Sequence, residues 1–341
     1  MRTAQNFQGA ARWFTRLIEG FASLKFSLAI LLLLLGGLPL STQGVISNTV
    51  LLTVAGLLFI VNLAAALQSH ATFRSQPGLL VFHTALVVVL AAALTSRLTY
   101  FKGAVELLQG EVFPGVAQME ERGIWHPDGL RNLRFSHDGF TVDYAPGLKR
   151  GVTRNQVQWQ EGDGTIHSAV IGDGVSLDLE GYRFRTTANK GFAPVFLWIP
   201  VDGSQPVRTS LHLPSYPATM EQVSHWRIPQ TTIRTKITLL FDEVVVDPEK
   251  SSQLHLPRRY RLKLATEEGS VHVLKDGSIV HFSEGMLVFE GLRSWMGYRI
   301  IYDPAMNWLL ASSLAAIFGL AWHYHSQFSR YHWADGVFDG P

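Results

Sequence analysis

Four segments of the chain consist almost entirely of apolar and small residues. They cover residues 26–42, 49–67, 78–96 and 305–322, and each has 17 to 19 residues. A helix needs about 20 residues to cross a hydrocarbon core of about 30 Å. The pattern therefore predicts four transmembrane α-helices, the first three within residues 26–97 and the fourth within residues 303–325. Pro39 is expected to bend the outer end of the first helix.

Residues 98–302 show a different pattern. Short segments such as KITLLFDEVVV and SVHVLKDGSIVHF alternate apolar with polar residues, which is typical of half-buried β-strands. Asp-Gly dipeptides at 128, 138, 163, 173, 202 and 276 separate these segments. They favour type I′ hairpin turns, in which both central residues have positive φ. The sequence thus predicts a large all-β domain, a sandwich or an open barrel, inserted between helices three and four.

Residues 1–25 have apolar residues at helical spacing, with charged residues toward the opposite side. The apolar side holds Trp13, Phe14, Leu17, Ile18 and Phe21. This pattern predicts an amphipathic segment, which either lies in the membrane interface or packs on the rest of the protein. Because 25 residues precede the first span and a second span follows it closely, we expect that span to be retained rather than cleaved as a signal peptide.

Composition agrees with an integral membrane protein. Apolar residues make up 47% of the chain and charged residues only 16%, whereas soluble proteins have about a quarter charged residues. The net charge of +2 argues against a nucleic-acid partner. The absence of cysteine excludes disulfides, thiolate metal sites and covalent haem attachment to this chain.

The positions of Lys and Arg beside the spans predict the orientation. Arg2, Arg12, Arg16 and Lys25 precede the first span, Arg74 lies between the second and third, and the loop between the first two spans has no positive charge. Positive residues remain on the cytoplasmic side. We therefore expect both termini, including the tail 326–341, to be cytoplasmic and residues 98–302 to be periplasmic, in a bacterial inner membrane.

One titratable side chain, His83, lies inside the third apolar segment. A neutral imidazole in the inner leaflet needs a hydrogen-bond partner or a metal, and both interpretations are open at this point. His70 precedes it by 13 residues, but Gln76-Pro77-Gly78 interrupts the helix between them. His323 ends the fourth apolar segment.

The β-rich region contains no recognisable catalytic motif. Its adjacent carboxylates, such as Glu120-Glu121, alternate faces in a strand and are poor acid–base pairs. His272 and His281, which flank one predicted hairpin, are its only histidines with metal-like spacing. We therefore predict no catalytic residues.

Several segments, taken in order along the chain, resemble the ResB (CcsB) family of System II cytochrome c biogenesis proteins. They are FASLKFSLAILLLLL at the first span, HTALVVVLAAALTS at the third, TYFKGAVELLQGEVF at the start of the β region, and MGYRIIYDPAMNWLLASSLAAIFGLAWHYH, with Asp303-Pro304, before the last span.

The resemblance implies a haem-export and cytochrome c synthase complex in which this chain works with a CcsA (ResC)-like membrane subunit. His83 matches the family position of an axial ligand to haem b in the membrane, and the partner supplies the other ligand. His70 or His323 would assist haem uptake, and the β domain would dock apocytochrome c or brace the partner. The chain lacks the partner's Trp-Trp-Asp signature, so it would be the non-catalytic or co-catalytic half of a cytochrome c haem lyase and not an enzyme alone.

Two other functions remain open from the sequence. The chain could be an accessory or structural interaction subunit of a respiratory membrane complex without bound haem. It could also be a haem b electron carrier, which would require a second ligand from this chain, and His323 is the only candidate.

Overall fold

The computed structural model describes residues 16–215 and 222–328. The chain divides into two compact units: a helical unit of the residues up to 100, 122–126 and those from 303 onward, and a β unit of residues 101–121 and 127–302. Most of the predicted N-terminal amphipathic segment, and most of the predicted tail 326–341, lie outside the described residues.

Among the described residues, the helical unit contains five complete helices, besides residues 16–21, which are also helical. They are α1 Leu24–Thr42, α2 Asn48–Ser69, α3 Ala71–Ser75, α4 Pro77–Thr99 and α5 Met306–Phe328. By length and composition, α1, α2 and α4 could cross a membrane. Helix α5 is as long as α4 but less apolar, and it is not among these three. Three helices long and apolar enough to cross a membrane are therefore present, while their insertion in a membrane and a fourth span stay predictions.

Local sequence explains where several helices begin. The Ser23 hydroxyl accepts a hydrogen bond from the Phe26 amide and caps α1. Pro77 occupies the first turn of α4, where its missing N–H costs no helical hydrogen bond. Pro39 lies inside α1, which continues to Thr42.

The helices pack in a row, α1 on α2, α2 on α4 and α4 on α5. Small residues allow close approach: a Cβ on Gly78 would lie 2.5 Å from the backbone N of His323, and a Cβ on Gly319 would lie 2.6 Å from the backbone N of Phe82. Such glycines are typical of helix interfaces in membranes, where close packing replaces the hydrophobic effect.

Buried Asn62 of α2 joins the start of α1 to the bundle. Its Oδ1 accepts from the Ser27 hydroxyl at 2.8 Å, and its Nδ2 donates to the Phe21 carbonyl at 2.6 Å. At the other end of the bundle, Asp303 accepts from the Ser96 hydroxyl at 2.9 Å and from the Ala305 amide at 3.1 Å. These contacts satisfy polar groups among the apolar helices.

The β unit contains sixteen strands among the described residues. They are β1 Phe101–Leu108, β2 Met119–Arg122, β3 Phe135–Ala145, β4 Lys149–Gln160, β5 Ile166–Gly172, β6 Leu177–Leu179, β7 Tyr182–Pro200, β8 Val207–Ser210, β9 Leu213–Pro214, β10 Val223–Arg227, β11 Arg234–Phe241, β12 Ser252–Leu254, β13 Tyr260–Thr266, β14 Val271–Leu274, β15 Ile279–Phe282 and β16 Gly285–Tyr302. A short 3-10 helix covers Asp128–Asn132. The all-β character predicted for this region is confirmed.

The strands form three sheets. The largest has the order β2-β1-β16-β7-β6, with β15 on β16 and both β8 and β9 on β7. The other two have the orders β10-β11-β13-β14 and β12-β3-β4-β5. One hydrophobic core joins all three, and its centre is aromatic: the ring centroids of Phe113, Phe135 and Phe184 lie 4.9–5.4 Å apart. The apolar positions of the alternating strand pattern face this shared core.

The predicted type I′ turns at Asp-Gly dipeptides are wrong. Four of the glycines do lie in turns at positive φ, namely Gly164, Gly174, Gly203 and Gly277. The aspartates before them do not have positive φ, so only the second residue is left-handed. The other two dipeptides lie in the 3-10 helix and inside β3, where Gly139 coincides with a register shift.

The hairpin predicted between His272 and His281 is also absent. Strand β14 pairs with β13, whereas β15 pairs with β16 of the largest sheet. The Asp276-Gly277 turn therefore links two sheets and does not close a hairpin. Alternation predicted both strands correctly, but sequence proximity indicated the wrong partner.

Candidate functional site

His83 is the seventh residue of α4, about 9 Å along the helix axis from Pro77. Gly78 and Ala85 are buried on the side of α4 where Gly78 meets α5. At about 100° per residue, His83 lies about 140° around the helix from Gly78. Leu94, which meets Gly56 of α2, is on the same side as His83. The imidazole therefore points away from α5 and toward the α2 side of the row.

Two bends in the chain bring an aromatic ring against His83. Helix α2 ends at Ser69, and the next residue, His70, is non-helical with φ −92° and ψ 117°. Helix α3 ends at Ser75, and Gln76, with φ −125° and ψ 87°, is also non-helical, as residues before a proline usually are. The short helix between them carries Phe73, whose ring centroid is 4.7 Å from that of His83. Phe82 adds an edge-to-face contact at 5.0 Å. The imidazole is consequently half-buried and apolar on two sides.

A single hydrogen bond determines the tautomer of His83. Its Nδ1 lies 2.9 Å from the Leu79 carbonyl oxygen, one helical turn earlier. A carbonyl oxygen can only accept, so Nδ1 carries the proton and Nε2 carries the lone pair. Among the described residues, Nε2 has no hydrogen-bond partner. An imidazole anchored through one N–H with its other nitrogen open has the arrangement of a metal-ligating histidine.

The other two candidate histidines lie nearby in the fold but do not form one cluster with His83. His70 is exposed, and its ring lies 6.3 Å from the ring of Phe73, on which His83 also packs. His323 is half-buried, with its backbone against Gly78 and its ring 5.6 Å from Tyr324. Within residues 16–215 and 222–328, no three His, Cys, Asp or Glu side chains could together hold a metal ion.

Two neighbours of His83 were not predicted from the sequence. Leu79 could have been found, because a side chain in a helix often donates to the carbonyl four residues earlier. Phe73 gave no such signal, since its contact depends on the two bends around α3.

The β unit holds a different buried histidine, His137. Its Nδ1 is 3.2 Å from the Tyr298 hydroxyl, and its Nε2 is 3.4 Å from the Ser294 hydroxyl. Asn155 donates to the Tyr298 oxygen at 2.7 Å. Burial lowers the pKa of His137 to about 4. Because His137 is fully buried within this network, its imidazole is a neutral structural element of the core.

Comparison with known proteins gives only distant structural similarity. No protein family and no curated protein matches the sequence. Among solved structures, the chain is similar to one described as "Cytochrome c Heme Lyase CcmF", at 15% identity and a TM-score of 0.27. The match covers 88% of this chain and 34% of that one, so the chain spans about a third of its length.

Proposed function

We propose that this chain is a ResB-like, System II subunit of a haem-export and cytochrome c synthase complex in the bacterial inner membrane. In this proposal His83 is an axial ligand that holds haem b in the membrane. The observation that carries the proposal is the His83 imidazole, half-buried, anchored through Nδ1 to Leu79 and open at Nε2. The ordered motifs of the sequence support the same family.

The residues around His83 suit a haem that is bound in transit and then passed on. A porphyrin occupies four coordination positions of iron, so one axial imidazole from this chain and one from a partner complete the set. Phe73 and Phe82 give the site apolar surfaces suited to a hydrophobic macrocycle. His83 would hold haem through Nε2, and the iron porphyrin is the group to be delivered to apocytochrome c.

The chain's own residues would contribute position and orientation. The Leu79 carbonyl holds the Nδ1 proton of His83, which keeps the Nε2 lone pair directed away from the helix axis. The row of α1, α2, α4 and α5 leaves large apolar surfaces exposed, which suits membrane lipids and a CcsA (ResC)-like subunit. That subunit would supply the second axial ligand and the covalent chemistry, so this chain is the non-catalytic or co-catalytic half of the lyase.

The remaining assignments follow the same proposal. Both termini are cytoplasmic, and the β domain of residues 98–302 is periplasmic, where it docks apocytochrome c or braces the partner. His70 and His323 assist haem uptake from the cytoplasmic side. Deletion of the β domain should abolish apocytochrome capture by the complex, and unchanged capture would refute the docking role.

The test is an absorption spectrum with a pyridine haemochrome assay on the chain copurified with its membrane partner. We expect b-type haem in the wild type and its loss in His83→Ala. His83→Met keeps a group that can ligate iron, so it should retain haem with a shifted Soret band. His255→Ala, which removes an exposed histidine of the β unit, is the matched control and should leave the spectrum unchanged.

If the intact complex keeps the same haem content and spectrum in both His83 variants, His83 is not a haem ligand. Absence of haem from an intact wild-type complex supplied with haem would favour the accessory-subunit function, with His83 a packed side chain hydrogen-bonded to Leu79.

A further inference from the structure

One exposed face of the sheet β10-β11-β13-β14 concentrates positive charge. Alternate residues of three neighbouring strands point to this face. Its basic side chains are His225, Arg227, Arg234, Lys236, Arg261 and Lys263, and of these Arg261 is paired with Asp242 at 2.7 Å. Because the whole chain has a net charge of only +2, this concentration is a local feature and not a result of overall composition.

The strand register places basic side chains opposite each other. Arg227 pairs with Arg234 across β10 and β11, and His225 pairs with Lys236. Like charges directly opposite on antiparallel strands are destabilising. Glu267 lies 3.9 Å from Arg234 in an exposed ion pair. Arg227 and Lys236 have no ion pair among the described residues. The hairpin therefore retains an arrangement that is unfavourable unless an anion is bound.

One cavity of 610 Å³ is lined by His225, Arg227, Arg234 and Lys236. The volume lies in the range of small-molecule sites, about 300–1,000 Å³. Glu267 is the only carboxylate in the lining, which otherwise consists of Trp226, Thr235, Ala265 and Thr266. The cavity thus combines a ligand-sized volume with an excess of positive charge.

The backbone under the cavity is well anchored. Trp226 stacks on Phe196 with the ring centroids 4.9 Å apart, and the Thr235 hydroxyl donates to the Trp226 carbonyl at 3.1 Å. Ile228, directly after β10, is fully buried, and its amide donates to the Ile233 carbonyl. The cations therefore project from a rigid hairpin, so ordering them around a ligand costs little backbone entropy.

We propose that this cavity binds a small ligand with two anionic groups, carboxylate or phosphate. The two cross-strand pairs are two residues apart along each strand, which places them about 7 Å apart. Arg227 and Lys236 make the main contacts: a guanidinium binds such groups in bidentate fashion, and an ammonium binds them as a point charge. The bound anions remove the cross-strand repulsion. This site is independent of His83 and goes beyond the function proposed above.

The test is isothermal titration of the full-length protein in an uncharged detergent at low ionic strength, with adipate and inorganic pyrophosphate as probes. Arg227→Gln/Lys236→Gln should weaken binding about tenfold or more, because two charge-assisted contacts are lost. Arg185→Gln/Lys149→Gln removes the same charges from exposed positions on β7 and β4. This control should change the affinity by less than about twofold. The probe that binds more tightly shows whether the site prefers carboxylates or phosphates.

Failure of both probes to bind the wild type, or equal weakening by the two double variants, would overturn the proposal. Thermal unfolding without ligand gives a second criterion. The cavity variant should keep or raise the Tm, because it relieves like-charge repulsion. A lower Tm would show that these cations serve the fold and would also overturn the proposal.

Discussion

The buried His137 of the β unit predicts a loss of stability on mild acidification. An unfolded histidine has a pKa of 6.5, and burial lowers the pKa of His137 to about 4. Between these values the unfolded chain binds more protons than the folded chain, so the stability contributed by neutral His137 is complete above 6.5 and is lost as the pH falls toward 4. At 1.36 kcal/mol per pKa unit, the full difference is about 3 kcal/mol, and about 2 kcal/mol is lost by about pH 5.

The assay is urea unfolding of the full-length protein in detergent at about pH 8 and about pH 5, followed by tryptophan fluorescence. Trp198 and Trp295 are buried in the β unit and report its unfolding. His137→Gln keeps hydrogen-bonding groups but does not titrate, so it should lose about 2 kcal/mol less than the wild type over this range. Equal losses in both proteins would refute the assignment of the pH effect to His137.

Three further predictions concern the helical unit. Asn62→Ala leaves the Ser27 hydroxyl without its acceptor, and in a thermal unfolding assay in detergent it should cost about 1 kcal/mol of stability; an unchanged Tm would contradict this. Gly319→Val places a side chain against the backbone of Phe82 and should push α4 and α5 apart. A cysteine crosslink engineered between the two helices should therefore form in the parent but poorly in the variant. Equal crosslinking would show that the close approach is dispensable. Asp303→Ala removes the acceptor for the Ala305 amide just before α5 and should lower the stability by about 1 kcal/mol. Hydrogen exchange in the first turn of α5 should become faster. Exchange as slow as in the parent would refute the capping role of Asp303.

Hydropathy predicted the long helices well because an unbroken run of apolar residues is a strong local signal. It could not reveal α3, since five residues are too few to carry a period. In the β region, alternation predicted strands, but the pairing of β14 with β13 and of β15 with β16 depends on contacts distant in the sequence. Strand partners are a property of the folded core, which the local pattern does not encode.

The candidate site shows the same division. A lone titratable residue in an apolar segment made His83 conspicuous from the sequence, whereas the contact of Phe73 with its ring could not be predicted without the bends at His70 and Gln76. The cross-strand cation pairs were missed for a related reason. Arg227 and Arg234 are seven residues apart in sequence, and only the register of the hairpin shows that they are direct neighbours.

The pairing of β1 with β16 makes the β unit a replaceable module. Phe101 lies opposite Tyr302, so a domain of about two hundred residues begins and ends at adjacent positions. Directly outside it, Ser96 at the end of α4 and Asp303 before α5 are hydrogen-bonded. Insertions whose ends meet can be exchanged, enlarged or removed without separating the elements that flank them. Evolution could therefore refit the domain for different partners while the helical unit stayed the same.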